Sequence, residues 1–126
     1  MQEIIVPIHT ISEANKREHW RAGHSRHKQQ KYAVRLALLS NKLPQKLPVV
    51  VTMTRQSPRT LDSDNLQSAM KYVRDAIAEH FITDKAPGRA DDDPRFEWSY
   101  HQIKSKERNT KLVFQWPDIS HPLLPK

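Results

Sequence analysis

The sequence contains no cysteine and only two glycines in 126 residues, and no apolar run approaches the ~20 residues of a membrane-spanning helix. Without cysteine there is no disulfide framework, no thiolate zinc site and no cysteine nucleophile, and a reducing cytoplasm suits such a chain. The amino-terminal segment lacks a basic stretch followed by an apolar one and a small-residue cleavage site. Neither a secretory signal nor a membrane span is expected, and the expected location is cytoplasmic. What is present is a workable core: 37% of residues are hydrophobic, in periodic clusters that argue against disorder. The length suits one domain, expected over residues 1–116, with an extended or mobile proline-containing tail over 117–126.

The net charge of +7 is unevenly spread. Residues 1–59 carry 11 Lys and Arg against 3 Asp and Glu, residues 60–94 carry 4 against 8, and residues 95–126 carry 6 against 3. Cationic segments attract a polyanion, while the acidic island must be held away from it or bridged to it.

Glu3 to His9 reads as a short strand that Pro7 confines to a sheet edge. Ser12 to Lys31 reads as a basic loop entering a helix. From Arg26 to Ser40, Tyr32, Leu36 and Leu39 recur at i, i+4 and i+7, the spacing of one buried helical stripe. Val49 to Arg55 is β-branched and alternating, a strand. Leu66, Ala69, Met70, Val73, Ile77 and Phe81 predict a single helix over Asn65 to His80, with Asp64 as N-cap and Gln67 completing a capping box. A 13-residue loop, Ile82 to Pro94, precedes two alternating segments, Arg95 to Lys104 and Lys111 to Trp116, expected to pair as a hairpin. The expected order is βαβαββ: an α+β domain with a small mixed sheet and two helices.

Asp62 and Asp64 flank one residue at the strand-to-helix junction, where i, i+2 side chains share a side. Close carboxylates need a shared proton or a divalent cation, and oxygen-only ligands favour magnesium or manganese. The helix carries the chain about 24 Å away, and the long loop can bring Asp91, Asp92 and Asp93 back beside Asp62 and Asp64. Ser68 and Lys71 lie on the same helical face as Asp64, and a lysine there can neutralise charge developing on a phosphate. A metal ion lowers the pKa of its water and polarises the phosphate, so the chemistry pointed to is phosphodiester hydrolysis. Each residue also has a plainer reading. Asp64 can be only an N-cap and Asp62 a turn residue, Asp91 to Asp93 a solvated run, and Lys71 the i, i+4 partner of Asp75. Phe96, Trp98, Tyr100 and Phe114 read as core rather than base-stacking groups. Trp20 reads as packing rather than a wedge at an opened junction.

Taken together, the strand VVVTMTR, the segment SPRTLDSDNLQSAMKYVRDAIAEHF, the element DDDPRFEW and the amino-terminal NKREHWRAGHSRHK resemble the RusA-like Holliday junction resolvase family, in its phage and prophage branch. The resemblance spans residues 3–116. It implies a homodimeric, magnesium-dependent endonuclease that cuts four-way DNA junctions symmetrically in recombination and repair, with manganese as a possible substitute. It places the metal-binding aspartates on Asp62, Asp64 and Asp91, with Asp93 as second choice for the third. The family's lysine position falls on Ser68, a departure that shifts the catalytic charge to Lys71. Asn15, Lys16, Arg17, Arg21, Arg26 and Lys28 are the expected phosphate contacts. The rival reading is a non-catalytic basic dimer that binds DNA.

Overall fold

The computed structural model describes residues 1–12, 20–86 and 88–117. It is a mixed α+β domain of four strands and three helices: β1 (Gln2–Val6), α1 (Trp20–Ser40), β2 (Val49–Ser57), α2 (Ser63–Ala69), α3 (Lys71–Phe81), a 3-10 turn (Ala90–Asp92), β3 (Phe96–Lys104) and β4 (Asn109–Gln115). The sheet order is β1-β4-β2-β3. β1 and β2 both run antiparallel to β4, and β2 runs parallel to β3.

The hairpin expected of the last two strands does not form, because β2 lies between them. β2 has the most continuously buried backbone of the four strands and takes the centre, with neighbours on both edges. A parallel neighbour needs a long crossover, which α2, α3 and the following loop supply. The short segment 105–108 then arches over the end of β2 to reach its other side, anchored by Ser105 N–H donating to the Ser57 carbonyl at 3.0 Å. Four residues are enough, since two strand spacings are only ~10 Å. β1 is an edge strand and stops before Pro7, which has no N–H to give.

Register places three cross-strand rows on the face under the helices: Gln2, Phe114, Val51 and Trp98; Ile4, Leu112, Met53 and Tyr100; Val6, Thr110, Arg55 and Gln102. The first two rows supply much of the core. The third closes it with polar groups, among them a buried arginine. Phe81 of α3 meets Phe96 at 5.7 Å and Phe114 at 6.1 Å between ring centroids.

α1 starts earlier than expected and buries a different face. Gln30, Val34 and Leu38 are inside, whereas Tyr32, Leu36 and Leu39 are 68%, 52% and 59% exposed. Two apolar stripes exist on this helix, and periodicity does not choose between them. The buried one is flanked by Ala33 and Ala37, whose small side chains allow close packing. Lys31 donates to Glu79 of α3 at 2.7 Å beside that contact. The helix ends in a Schellman motif: Leu43 N–H returns to the Leu38 carbonyl, Lys42 N–H to that of Leu39, and Lys42 takes φ +52°. Trp20 is 69% exposed rather than packed, with the Arg21 guanidinium over its ring.

The single helix expected over Asn65–His80 is two. The chain tightens at Met70, whose N–H is shared between the Leu66 and Gln67 carbonyls, and α3 starts anew at Lys71. The N-cap is Asp62, not Asp64: its Oδ1 accepts from Asn65 N and Asn65 Nδ2, both at 2.9 Å. Asp64 falls inside the first turn, where the macrodipole favours a carboxylate. Gln67 therefore completes no capping box.

The phase of α1 predicts unequal costs for two leucines on one helix. Leu38→Ala should cost about 2–5 kcal/mol, and Leu36→Ala within about 0.5 kcal/mol, read as midpoint shifts in urea denaturation.

Candidate functional site

The α2–α3 pair presents a stripe at helical spacing, Gln67, Ser68, Lys71, Tyr72, Arg74 and Asp75, that floors a cleft of about 600 Å³. Its walls are Gly88, Asp91 and Asp92 of the returning loop and Tyr100 of β3. The loop turns at Gly88, whose φ of +78° is a conformation that favours glycine. It is then tied down by Arg74. That guanidinium donates to Tyr100 Oη at 2.8 Å and the Asp91 carbonyl at 3.2 Å, pairs with Asp91 Oδ2 at 2.9 Å, and lies 4.7 Å from the Trp98 ring centroid. Trp98 Nε1 donates to the same carbonyl at 3.0 Å, and the buried Ala90 anchors the 3-10 turn. The loop thus returns to the helix face, held by one arginine and one tryptophan, but it brings Asp91 and Asp92 to Lys71, Arg74 and Asp75. Asp62 and Asp64, beside which it was expected, are not among the lining residues.

Asp75 is the residue that sequence reasoning missed as a site group. It is 8% exposed, lines the cleft and makes no hydrogen bond or ion pair among the described residues. Burial raises its carboxyl above the usual range, and the neighbouring Asp91 raises it further. Lys31 and Lys71 pull the other way. The available signal was a charged residue set between the apolar positions Val73, Ala76 and Ile77, where a surface helix normally carries none.

The other predicted residues divide as follows. Ser68, Lys71, Asp91 and Asp92 line the cleft, with Lys71 Nζ 5.4 Å from the Tyr72 ring centroid. Asp64 is exposed, one helical turn before Ser68, and lies outside the residues that line the cleft. Asp62 commits an oxygen to the cap. Asp93 faces Arg95 instead: it accepts from Arg95 N at 2.9 Å and from Nε and Nη2 at 3.0 Å, and these bonds hold its carboxyl well below the usual range. Arg21 and Lys28 are exposed on α1, Arg26 is half-buried, and His27 stacks on Tyr72 with ring centroids 3.8 Å apart. That stacking brings α1 to the cleft at Tyr72. Asn15, Lys16 and Arg17 lie outside the described residues.

Among the described residues no group of three or more His, Asp or Glu side chains converges as a ready cation cage. Magnesium does not require one, since it usually takes one or two carboxylates and completes its shell with water and substrate phosphate. The pair Asp75 and Asp91 fits that mode: both are hard oxygen donors on one cleft, and the Asp91 charge helps to raise the Asp75 carboxyl.

No family model, curated protein or solved structure matches this chain. No described helix is long and apolar enough to cross a membrane.

The two shifted aspartates predict opposite pH behaviour. A raised carboxyl penalises the folded state once pH passes the unfolded value of about 3.9. Asp75→Asn should therefore stabilise the protein at pH 7, with the gain fading below pH ~4. Asp93 contributes stability above that range and loses it as pH falls. Asp93→Asn should weaken the fold at pH 7, with the difference closing in acid. Urea denaturation across pH reads both.

Proposed function

We propose that this chain is a magnesium-dependent endonuclease that acts as a homodimer on branched DNA, with a four-way junction as substrate. One observation carries the reading: the loop return puts Lys71, Asp75, Asp91 and Asp92 on a single cleft, which α1 meets where His27 stacks on Tyr72. Burial and the neighbouring Asp91 raise the Asp75 carboxyl, and carboxylates perturbed in this way within a cleft are candidates for phosphodiester-cleaving chemistry. Asp75 and Asp91 would hold magnesium or manganese, with Asp92 beside them on the cleft wall. When bound, such a cation neutralises phosphate charge and makes water a better nucleophile. Lys71, exposed at the cleft, stabilises charge on the phosphate oxygens, the role that the lysine missing at Ser68 would otherwise fill. Arg74 positions Asp91 through its ion pair and keeps the loop closed. Arg21, Arg26 and Lys28 hold neighbouring phosphates, a contribution that falls with salt. Two such clefts related by a two-fold axis would suit opposing strands of a symmetric junction.

A non-catalytic DNA-binding protein is the second reading, and one observation favours it. Arg74 already neutralises Asp91, so a guanidinium stands where a nuclease needs a cation.

Labelled four-way junction and matched linear duplex, incubated with magnesium and with a chelator, separate the two. Paired nicks in the junction alone, and only with magnesium, are expected. Asp75→Asn and Asp91→Asn should bind the junction as the parent does and leave it uncut, while Lys71→Gln slows cleavage about 10²–10³-fold. Equal binding with and without metal and no cleavage in either would leave the binding protein standing.

A further inference from the structure

The arch over the end of β2 gathers charge that no carboxylate among the described residues pairs with. Lys104, Ser105, Lys106, Arg108 and Pro58 line a shallow depression of about 440 Å³ there. Two residues before the end of β2, in the polar row that closes the core, Arg55 is only 5% exposed. Its guanidinium donates from Nε to the Thr10 carbonyl at 3.0 Å and from Nη1 to the Arg59 carbonyl at 2.7 Å, and Nη2 faces His9 Nε2 at 3.2 Å. All of these partners are neutral. Buried charges are normally paired with an opposite charge, yet Arg55 has no carboxylate partner among the described residues, and neither do Arg59, Lys104, Lys106 or Arg108. Glu107 is the one acid in the arch, and it accepts from Asn109 Nδ2 instead. Burial, then the charges of Arg55 and Arg108, depress the His9 imidazole, so both guanidiniums lie close enough to act on it. The parallel strands β2 and β3 both end here, and the carboxyl ends of parallel strands are where open sheets receive ligands.

We propose that this arch, with Arg59 beside it, is a binding surface for the phosphodiester backbone of a nucleic acid, distinct from the α2–α3 cleft and from α1. The inference rests on the DNA reading above and adds a second anchoring point to it. Lys104, Lys106, Arg108 and Arg59 make the phosphate contacts. Arg55 touches no ligand: it holds the turns that carry Thr10 and Arg59 in place and adds its charge. Bound phosphates supply the anions that the described residues do not.

The test compares the full chain with Lys104→Gln/Lys106→Gln/Arg108→Gln, binding fluorescent four-way junction DNA across a salt series. All three positions are exposed, and circular dichroism checks that the variant is folded. A control, Lys42→Asn/Lys46→Gln, removes two exposed charges near the start of β2. Each phosphate contact contributes about 0.9 to the slope of log affinity against log salt. The triple variant should lose about 2–3 from that slope and at least about tenfold in affinity, while the control keeps the parent slope. An unchanged slope in the triple variant, or an equal loss per charge in the control, overturns the surface and leaves the DNA reading intact. Absence of DNA binding by the parent overturns both. Inorganic phosphate and phosphatidylserine vesicles are the remaining arms. Arch-dependent binding of either one without binding to DNA overturns the nucleic-acid assignment.

Discussion

The central strand is bonded in opposite senses on its two edges, parallel to β3 and antiparallel to β4, and most of the molecule follows from that. A parallel neighbour cannot be reached by a tight turn, so the chain must leave the sheet, run along α2 and α3, and come back. The return path is the acidic loop, and the helices it crosses form the cleft floor. The antiparallel neighbour on the opposite edge then forces the last connection over the end of β2. Cleft and basic arch are two products of one strand order.

Two arginines show how differently this domain treats a cation. Arg74 meets a carboxylate, a phenol, a carbonyl and an indole face, so its charge is absorbed and its effect is mechanical: it pins a long loop to a helix. Arg55 meets carbonyls and an imidazole, so its position is fixed while its charge is not cancelled. Burying an unpaired guanidinium costs stability, and it is tolerated where three segments of chain would otherwise have no common partner.

Much of the local structure was legible in the sequence. β-branching and alternation marked β2, Pro7 marked β1 as an edge, and the loop's length and acidic end announced its return to the helix face. What was not legible depends on long-range geometry. Alternation in β3 and β4 shows that they are strands but not that β2 separates them, because pairing is decided by which strand is most buried. The α1 pattern offered two stripes, and the choice between them rests on the fit of Ala33 and Ala37. The break at Met70 has no local signal, since neither glycine nor proline occurs there. In the candidate site, Lys71, Asp91 and Asp92 were placed by spacing. Asp75 was passed over because its i, i+4 spacing to Lys71 reads as a surface ion pair, and the cap passed from Asp64 to Asp62 because a two-residue ambiguity is inherent in Asp-Ser-Asp-Asn.

The pairing of the first strand with the last sets an order of events during synthesis. β1 has one neighbour, β4, in a register that joins Gln2 to Phe114. Its edge hydrogen bonds stay unmade until nearly the whole described chain has left the ribosome. The helices can form early from local contacts, whereas the sheet closes last and slowly, as expected of long-range pairing. Until then Ile4 and Val6 are uncovered, and a nascent chain of this design gains from a chaperone that shields apolar segments near its amino terminus.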